Sequence, residues 1–141
     1  MATSPSKFSK VRRDHALETA QDYCEAIAAV CTKSGECRIT DLARIMGVTH
    51  VTVTKIVRRL VADGLVEKVP YGPARLSVKG AALARHSSDR HVLVVSFLRA
   101  LGVTPAEADR DAEGMEHHCG PSTLRAMREF ISRCGPGSSA T

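Results

Sequence analysis

The sequence predicts a mostly α-helical chain in which helix, helix, tight turn, helix and a two-stranded hairpin precede an all-helical second half. Three observations carry that expectation. Apolar residues recur at spacings of three and four through most of the 141 residues. The period changes to two once, between Leu65 and Val78. Glycine or proline marks nearly every change of direction. With 43% hydrophobic residues the chain has enough apolar side chains for a packed core, which excludes global disorder. Its length fits one globular unit, or two small ones sharing a core.

The elements follow in order. Residues 1–10 are Ser- and Lys-rich without periodicity, so 1–13 read as a flexible basic arm. From Asp14 to Lys33, Ala20, Tyr23, Ile27 and Val30 mark one helix face, ended by Ser34-Gly35-Glu36. Helix signals resume at Thr40-Asp41, break at Gly47-Val48 and run again through Leu60 to Asp63-Gly64. Leu65–Val69 and Ala74–Val78 then read as strands around Pro70-Tyr71-Gly72-Pro73. Ser77 or its neighbours can cap a long helix from about Lys79 to Leu101. Thr104-Pro105-Ala106-Glu107 is a helix start, with Thr as N-cap and Pro at the first helical position. That helix carries Asp109 to His118. Gly120-Pro121-Ser122 breaks it, a last helix runs to about Arg133, and 135–141 read as a flexible tail. The expected domains are 14–80 and 81–134.

Charge is unevenly placed. Residues 1–80 hold 13 basic and 8 acidic side chains, and residues 81–141 hold 7 of each, so the whole excess of +5 lies in the first half. That half suits a polyanionic partner. The longest apolar stretch, His91 to Val103, is broken by Ser96 and Arg99 and falls short of the roughly 18–20 residues a membrane span needs. No apolar run follows the N-terminal basic residues, so no secretory signal is expected. Five cysteines without a C-x-x-C pair then point to reduced thiols in a cytoplasmic protein. Cys24 and Cys31, seven apart, read as small apolar side chains on one helix face, with ligation as the alternative.

Helix, helix, turn, helix and hairpin is the layout of a winged helix-turn-helix. Ala43 is a small residue where two helices cross, Gly47 supplies the turn, and Val48, Val53 and Ile56 fall where the helix after the turn packs on the one before it. On that later helix Val53, Ile56, Val57 and Leu60 form the buried stripe. The opposite face carries Thr52, Lys55 and Arg59, with His50 at its start and Arg58 at its edge. Thr49, His50 and Thr52 suit base edges, with Val51 available for a thymine methyl; Lys55, Arg58 and Arg59 suit phosphates. Arg75 in the wing and the Lys7–Arg13 segment are further backbone contacts. An ordinary solvated basic face is the competing reading.

A second constellation lies elsewhere. Asp22 and Glu25 sit three apart on the first helix, His91 lies among apolar residues of the long helix, and Glu113, Glu116 and His117 share one face of a late helix. Each taken singly reads as a solvated carboxylate or a satisfied histidine. Together, the E-x-x-E-H face brings two carboxylates and an imidazole within one turn, a metal-ligand arrangement that other helices would complete.

From about Asp14 to Arg133 the chain resembles the diphtheria toxin repressor family of metal-activated repressors, within it the manganese transport regulator branch. The resemblance rests on Gln21-Asp22-Tyr23-Cys24-Glu25, Val53-Thr54-Lys55-Ile56-Val57 with Leu60, Arg90-His91 with Phe97-Leu98, and Glu113-Gly114-Met115-Glu116-His117-His118. It implies a winged helix-turn-helix followed by an all-α dimerisation and metal-binding domain. It implies that Asp22, Glu25, His91, Glu113, Glu116 and His117 ligate two Mn²⁺ ions per subunit, with His118 outside the primary set. It also implies a cytoplasmic homodimer that binds operator DNA to repress manganese homeostasis genes, with no catalytic role, no membrane partner and no organic substrate. Asp22 and Glu113 stand where the iron-responsive branch carries Met and Cys. Cys119 does not belong to the family pattern. Two other readings are an Fe²⁺- or Zn²⁺-responsive regulator of the same fold and, more distantly, a small di-metal hydrolase, for which no pocket or lid is discernible. Part of the apolar surface of the long helix, Leu93, Val94, Phe97, Leu98 and Leu101, is expected in the dimer interface.

Overall fold

The computed structural model describes residues 5–134 and contains six helices and one two-stranded sheet among them. The order is α1 (Pro5–Ser34), α2 (Ile39–Met46), α3 (His50–Ala62), β1 (Val66–Lys68), β2 (Ala74–Leu76), α4 (Val78–Ala100), α5 (Pro105–Met115) and α6 (Pro121–Cys134). Residues 1–4 of the expected arm and the expected tail at 135–141 lie outside the described residues. The chain divides into two compact units between Arg85 and His86. The expected boundary at 80/81 falls short of this because Ala84, on α4, is still buried in the first core.

In the first unit α1 contributes Ala20, Tyr23, Cys24 and Ile27, all buried and spaced as one face of a helix. It starts earlier than expected. Pro5 opens the helix, so residues 5–13 are helical and not an irregular arm. Proline is preorganised for a first turn, and the segment carries no residue that breaks one, so propensity extends the helix without a periodic apolar face. Phe8 and Val11 are accordingly exposed. Burial pushes the thiols of Cys24 and Cys37 up to about 11, which keeps both protonated and inert.

Helix α2 begins where Asp41 Oδ2 accepts the Arg38 N–H at 2.9 Å. It ends at Gly47, whose φ of 65° lies in the left-handed region and lets the chain turn sharply into α3. Val53, Val57 and Leu60 of α3 are buried beside Leu42 and Ala43 of α2, as the spacing predicts, and Ile56 is half-buried. Val48, expected to pack, is 38% exposed because it lies in the turn itself.

The strands pair antiparallel, with Val66 opposite Leu76, Glu67 opposite Arg75 and Lys68 opposite Ala74. Ala74 also donates its N–H to the Cys37 carbonyl at 2.8 Å, which ties the wing to the segment before α2. The second strand stops before Val78 because Ser77 is a cap. Its hydroxyl donates to the Gly64 carbonyl at 2.6 Å and accepts the Gly80 N–H at 3.0 Å. Gly80 is required where it stands, since a Cβ there would collide with the Leu65 carbonyl. Gly80→Ala is expected to lower unfolding stability by about 1–3 kcal/mol, the usual cost of overpacking. Gly114→Ala, facing open space on α5, should be neutral or stabilising by up to about 1 kcal/mol. Thermal denaturation of the two variants checks both signs.

The second unit is built from α5, α6 and most of α4. Val94 and Leu98 of α4, Ala108 and Ala112 of α5, and Leu124 and Met127 of α6 form its core. Phe97 and Phe130 meet edge to face with ring centroids 5.5 Å apart. Ala108 and Ala112 are fully buried and one turn apart, so α5 presents a seam of methyl groups to that core. Helix α5 ends at Met115, not at His118 as expected, because Gly114 is a poor helix former and the chain tightens into the turn His118 N–H to Met115 O, 3.1 Å. Val94 and Leu98 therefore serve the core, while Leu93 and Phe97 are half-buried against it and Leu101 is exposed. Among the described residues no helix is long and apolar enough to cross a membrane.

Candidate metal centre and nucleic-acid interface

His91 lies three residues before Val94 and seven before Leu98, on the buried stripe of α4, which carries its half-buried ring to the edge of the core. Asp109 and Glu113 each follow one of the two seam alanines of α5. Glu116 caps that helix with αR backbone (φ −60°, ψ −32°) and donates its N–H to the Ala112 carbonyl. Its side chain consequently leaves on the face a continuing helix would have given it, although the helix has ended.

These residues converge. His91 Nδ1 lies 2.8 Å from Glu116 Oε2 and 3.5 Å from Glu113 Oε1, and His91 Nε2 lies 2.9 Å from Asp109 Oδ1. Ligand atoms of His91, Glu113 and Glu116 lie within 4.8 Å of one another. Two atoms bound to one cation at about 2.2 Å stand at most about 4.4 Å apart, so a few tenths of an ångström closes the set around an ion. His117 Nε2 stands 3.6 Å from Glu116 Oε1.

The electrostatics match that arrangement. Burial works against charge on His91, but its bonds to Asp109 and Glu116 and the field of Glu113 outweigh it and hold its pKa above the ordinary value. Burial pushes the Glu116 carboxyl up, with His91 pulling it back. A carboxylate only 1% exposed is costly without a positive partner, and His91 is the partner at hand. One imidazole nitrogen with several carboxylate oxygens is a donor set for a hard or borderline divalent cation.

Asp22 and Glu25 belong to α1 in the first unit, where both are half-buried. Glu25 Oε1 is buried without a hydrogen-bond partner among the described residues. An orphaned acceptor of this kind fits a group that binds something charged. His118 is exposed, and Cys119 packs against the core of the second unit as a small apolar side chain. Sequence reasoning missed Asp109. The signal was available, because Asp109, Glu113 and Glu116 fall at i, i+4 and i+7.

The other surface is α3 with its wing. His50, Val51, Thr52, Lys55, Arg58 and Arg59 are all exposed on α3, opposite the buried stripe. Thr49 acts within its own turn, where its hydroxyl caps α3 by accepting the Thr52 N–H at 3.2 Å, and the two hydroxyls lie 3.0 Å apart. Arg58 turns towards the wing, where it lines a cavity of about 300 Å³ with Thr54, Val61, Lys68 and Val69. Arg75 pairs across the hairpin with Glu67 at 3.6 Å, an exposed ion pair of small energetic weight.

A turn-linked helix pair with a basic outer face and a wing, followed in the chain by a histidine–carboxylate cluster, defines a metal-binding, DNA-binding regulator. Residues 77–135 match the iron dependent repressor, metal binding and dimerisation domain, and residues 25–75 match the MarR family. The transcriptional regulator MntR of Escherichia coli is 43% identical over 128 residues, covering 91% of this chain and 83% of that protein. The HTH-type transcriptional regulator MntR of Listeria monocytogenes is 35% identical over 79% of this chain and 78% of its own length. Among solved structures, a manganese-dependent transcriptional repressor in complex with manganese superposes with a TM-score of 0.70 at 26% identity, covering 80% of this chain and 52% of that one. The manganese regulator SloR does so with a TM-score of 0.68 at 25% identity, covering 80% and 53%. The chain thus spans about half the length of these solved structures. It belongs to the diphtheria toxin repressor family, in the MntR branch. Membership sets it among transcriptional regulators, not enzymes, and leaves the hydrolase reading without support.

For the DNA face, Lys55→Ala or Arg59→Ala is expected to weaken DNA binding at all sequences and lower the slope of log affinity against log salt by about one, with metal affinity unchanged. Thr52→Ala should instead change sequence preference. Fluorescence anisotropy across a salt series, with specific and scrambled duplexes, separates these effects.

Proposed function

We propose that the chain is a Mn²⁺-responsive repressor of manganese homeostasis genes, acting in the cytoplasm as a homodimer on double-stranded operator DNA. The observation that carries this reading is the His91–Glu113–Glu116 cluster in a chain whose relatives are named for manganese regulation. Asp22, Glu25, His91, Glu113, Glu116 and His117 form the ligand set, for two Mn²⁺ ions per subunit. When bound, the cation supplies the positive charge that lets several carboxylates share one place. Thr49, His50, Thr52, Lys55, Arg58, Arg59 and Arg75 form the DNA face, with Thr49 dividing its hydroxyl between capping and contact.

Two of the proposed ligands come from α1, in the DNA-reading part of the chain, and four from the helical second unit. Residues held to a common charge no longer have to be ordered when two recognition helices meet successive major grooves, so the gain in operator affinity lies in preorganisation. No membrane and no organic substrate enters this reading.

The test is operator affinity measured anaerobically while Mn²⁺, Fe²⁺ and Zn²⁺ are titrated in turn. Mn²⁺ should raise affinity within the usual coupling range of about 5- to 150-fold. DNA affinity that ignores Mn²⁺ would overturn the proposal, and a rise with Fe²⁺ or Zn²⁺ alone would replace it with a regulator of the same fold for that metal.

A further inference from the structure

We propose that Asp109 is a positioning residue of the metal centre: it holds the Nε2–H of His91, so that Nδ1 faces Glu113 and Glu116 as a lone-pair donor. The inference rests on the reading of His91 as a ligand. A neutral imidazole carries one proton, and only the nitrogen without it binds a cation. Which nitrogen that is depends on what the other one meets. In His91 the two sides differ in company. Nδ1 is flanked by Glu116 at 2.8 Å and Glu113 at 3.5 Å, the two carboxylates of the candidate cluster. Nε2 points away from them and meets Asp109 at 2.9 Å.

A carboxylate accepts hydrogen bonds and donates none, so Glu116 and Asp109 each favour a proton on the ring nitrogen they face; where a cation would take Nδ1 and Glu116 together, Asp109 would retain the remaining proton on Nε2. It also fixes the ring about its χ2 axis, since rotation would break the bond. Carboxylates that hold the distal nitrogen of a metal-binding histidine raise its basicity and set its orientation. Asp109 owes its place to α5: it precedes Glu113 by one turn and follows the buried Ala108, so the same seam that positions Glu113 positions its neighbour. The Asp109 side chain is 72% exposed and the His91 side chain 21%. Removing the carboxylate therefore takes nothing from the core, and the fold should survive the substitution.

The experiment measures Mn²⁺ affinity by the electron paramagnetic resonance signal of free Mn²⁺, for wild type, Asp109→Ala, Asp109→Asn and His91→Ala. Asp109→Ala should lose 10- to 100-fold in affinity, the usual range for such partners, with the metal-free melting temperature unchanged. Asp109→Asn keeps an acceptor oxygen and should recover most of that loss. In the Cd²⁺-loaded protein, the proton on His91 Nε2 should give a hydrogen-bonded resonance by ¹⁵N-edited NMR in wild type and lose it in Asp109→Ala. Affinity in Asp109→Ala within about twofold of wild type, alongside a large loss in His91→Ala, would overturn the positioning role and leave His91 a ligand. Equal losses in the Ala and Asn variants would also overturn it, because the cation would then be sensing charge and not ring orientation. Wild-type affinity in His91→Ala would remove His91 from the site and the proposal with it.

Discussion

His91→Ala is expected to abolish the metal-dependent gain in operator affinity while leaving weak, salt-sensitive association with any duplex. The imidazole is the sole nitrogen donor among the three groups that converge at His91, Glu113 and Glu116. Without it the almost fully buried Glu116 loses its nearer histidine partner, at 2.8 Å, and a cation there would lose that donor. The basic face of α3 lies in the other unit and keeps its charges, so the electrostatic, sequence-independent part of binding persists. Anisotropy with and without saturating Mn²⁺ measures the ratio directly. A coupling of about 5- to 150-fold in wild type should collapse to about one, and an undiminished ratio in the variant would contradict the assignment of His91.

The second large effect concerns metal preference. Asp22→Met combined with Glu113→Cys should broaden the response from Mn²⁺ towards Fe²⁺ and Co²⁺, with operator affinity under Co²⁺ rising on the order of tenfold over wild type under the same ion. Oxygen donors suit a hard ion, and thioether or thiolate donors shift preference to softer, later metals. Raw affinity cannot select Mn²⁺, since later divalent ions outbind it at mixed nitrogen and oxygen sites. Coordination number can: Mn²⁺ accepts six or more oxygen-rich ligands, whereas Zn²⁺ is content with four. Wild type should therefore bind Zn²⁺ tightly yet respond to it poorly. Glu113 is 62% exposed at its side chain, so the cysteine is introduced at little cost to the core. Anaerobic operator titrations under saturating metal check the ranking. A double variant with the wild-type order, or a wild type activated equally by Zn²⁺ and Mn²⁺, would refute the argument.

Much of this molecule is legible in its sequence for reasons that are local. Ala43, Gly47 and the Val53–Val57–Leu60 stripe are set by helix periodicity and by one positive φ, and the structure has them as expected. The wing follows from a change of period, although both strands are shorter than the pattern because Ser77 is claimed by the start of α4. What escapes the sequence depends on contacts distant along the chain or on an absence of signal. Residues 5–13 show no apolar period, since that part of α1 buries little, and helix propensity alone extends it. Glu116 is expected on a helix that in fact ends one residue earlier, yet its direction is right because the cap retains helical backbone. Asp109 stands outside the E-x-x-E-H block that carries the family resemblance. Its i, i+4, i+7 spacing with Glu113 and Glu116 puts it on their face, and the 2.9 Å approach of a ring 18 residues earlier gives that placement its meaning.

The alanine seam of α5 has a consequence for how such a sensor is retuned over generations. Ala108 and Ala112 touch no cation, yet Asp109 and Glu113 are their immediate successors and move wherever the helix is pushed. One added methylene at either position would lift α5 from its neighbours by a fraction of an ångström, and interiors this closely packed transmit such a shift. The set point at which the protein answers its metal is thus heritable through packing residues as well as through ligands. A lineage facing scarcer or more abundant manganese has room to adjust at sites where a search restricted to donor atoms would find nothing changed.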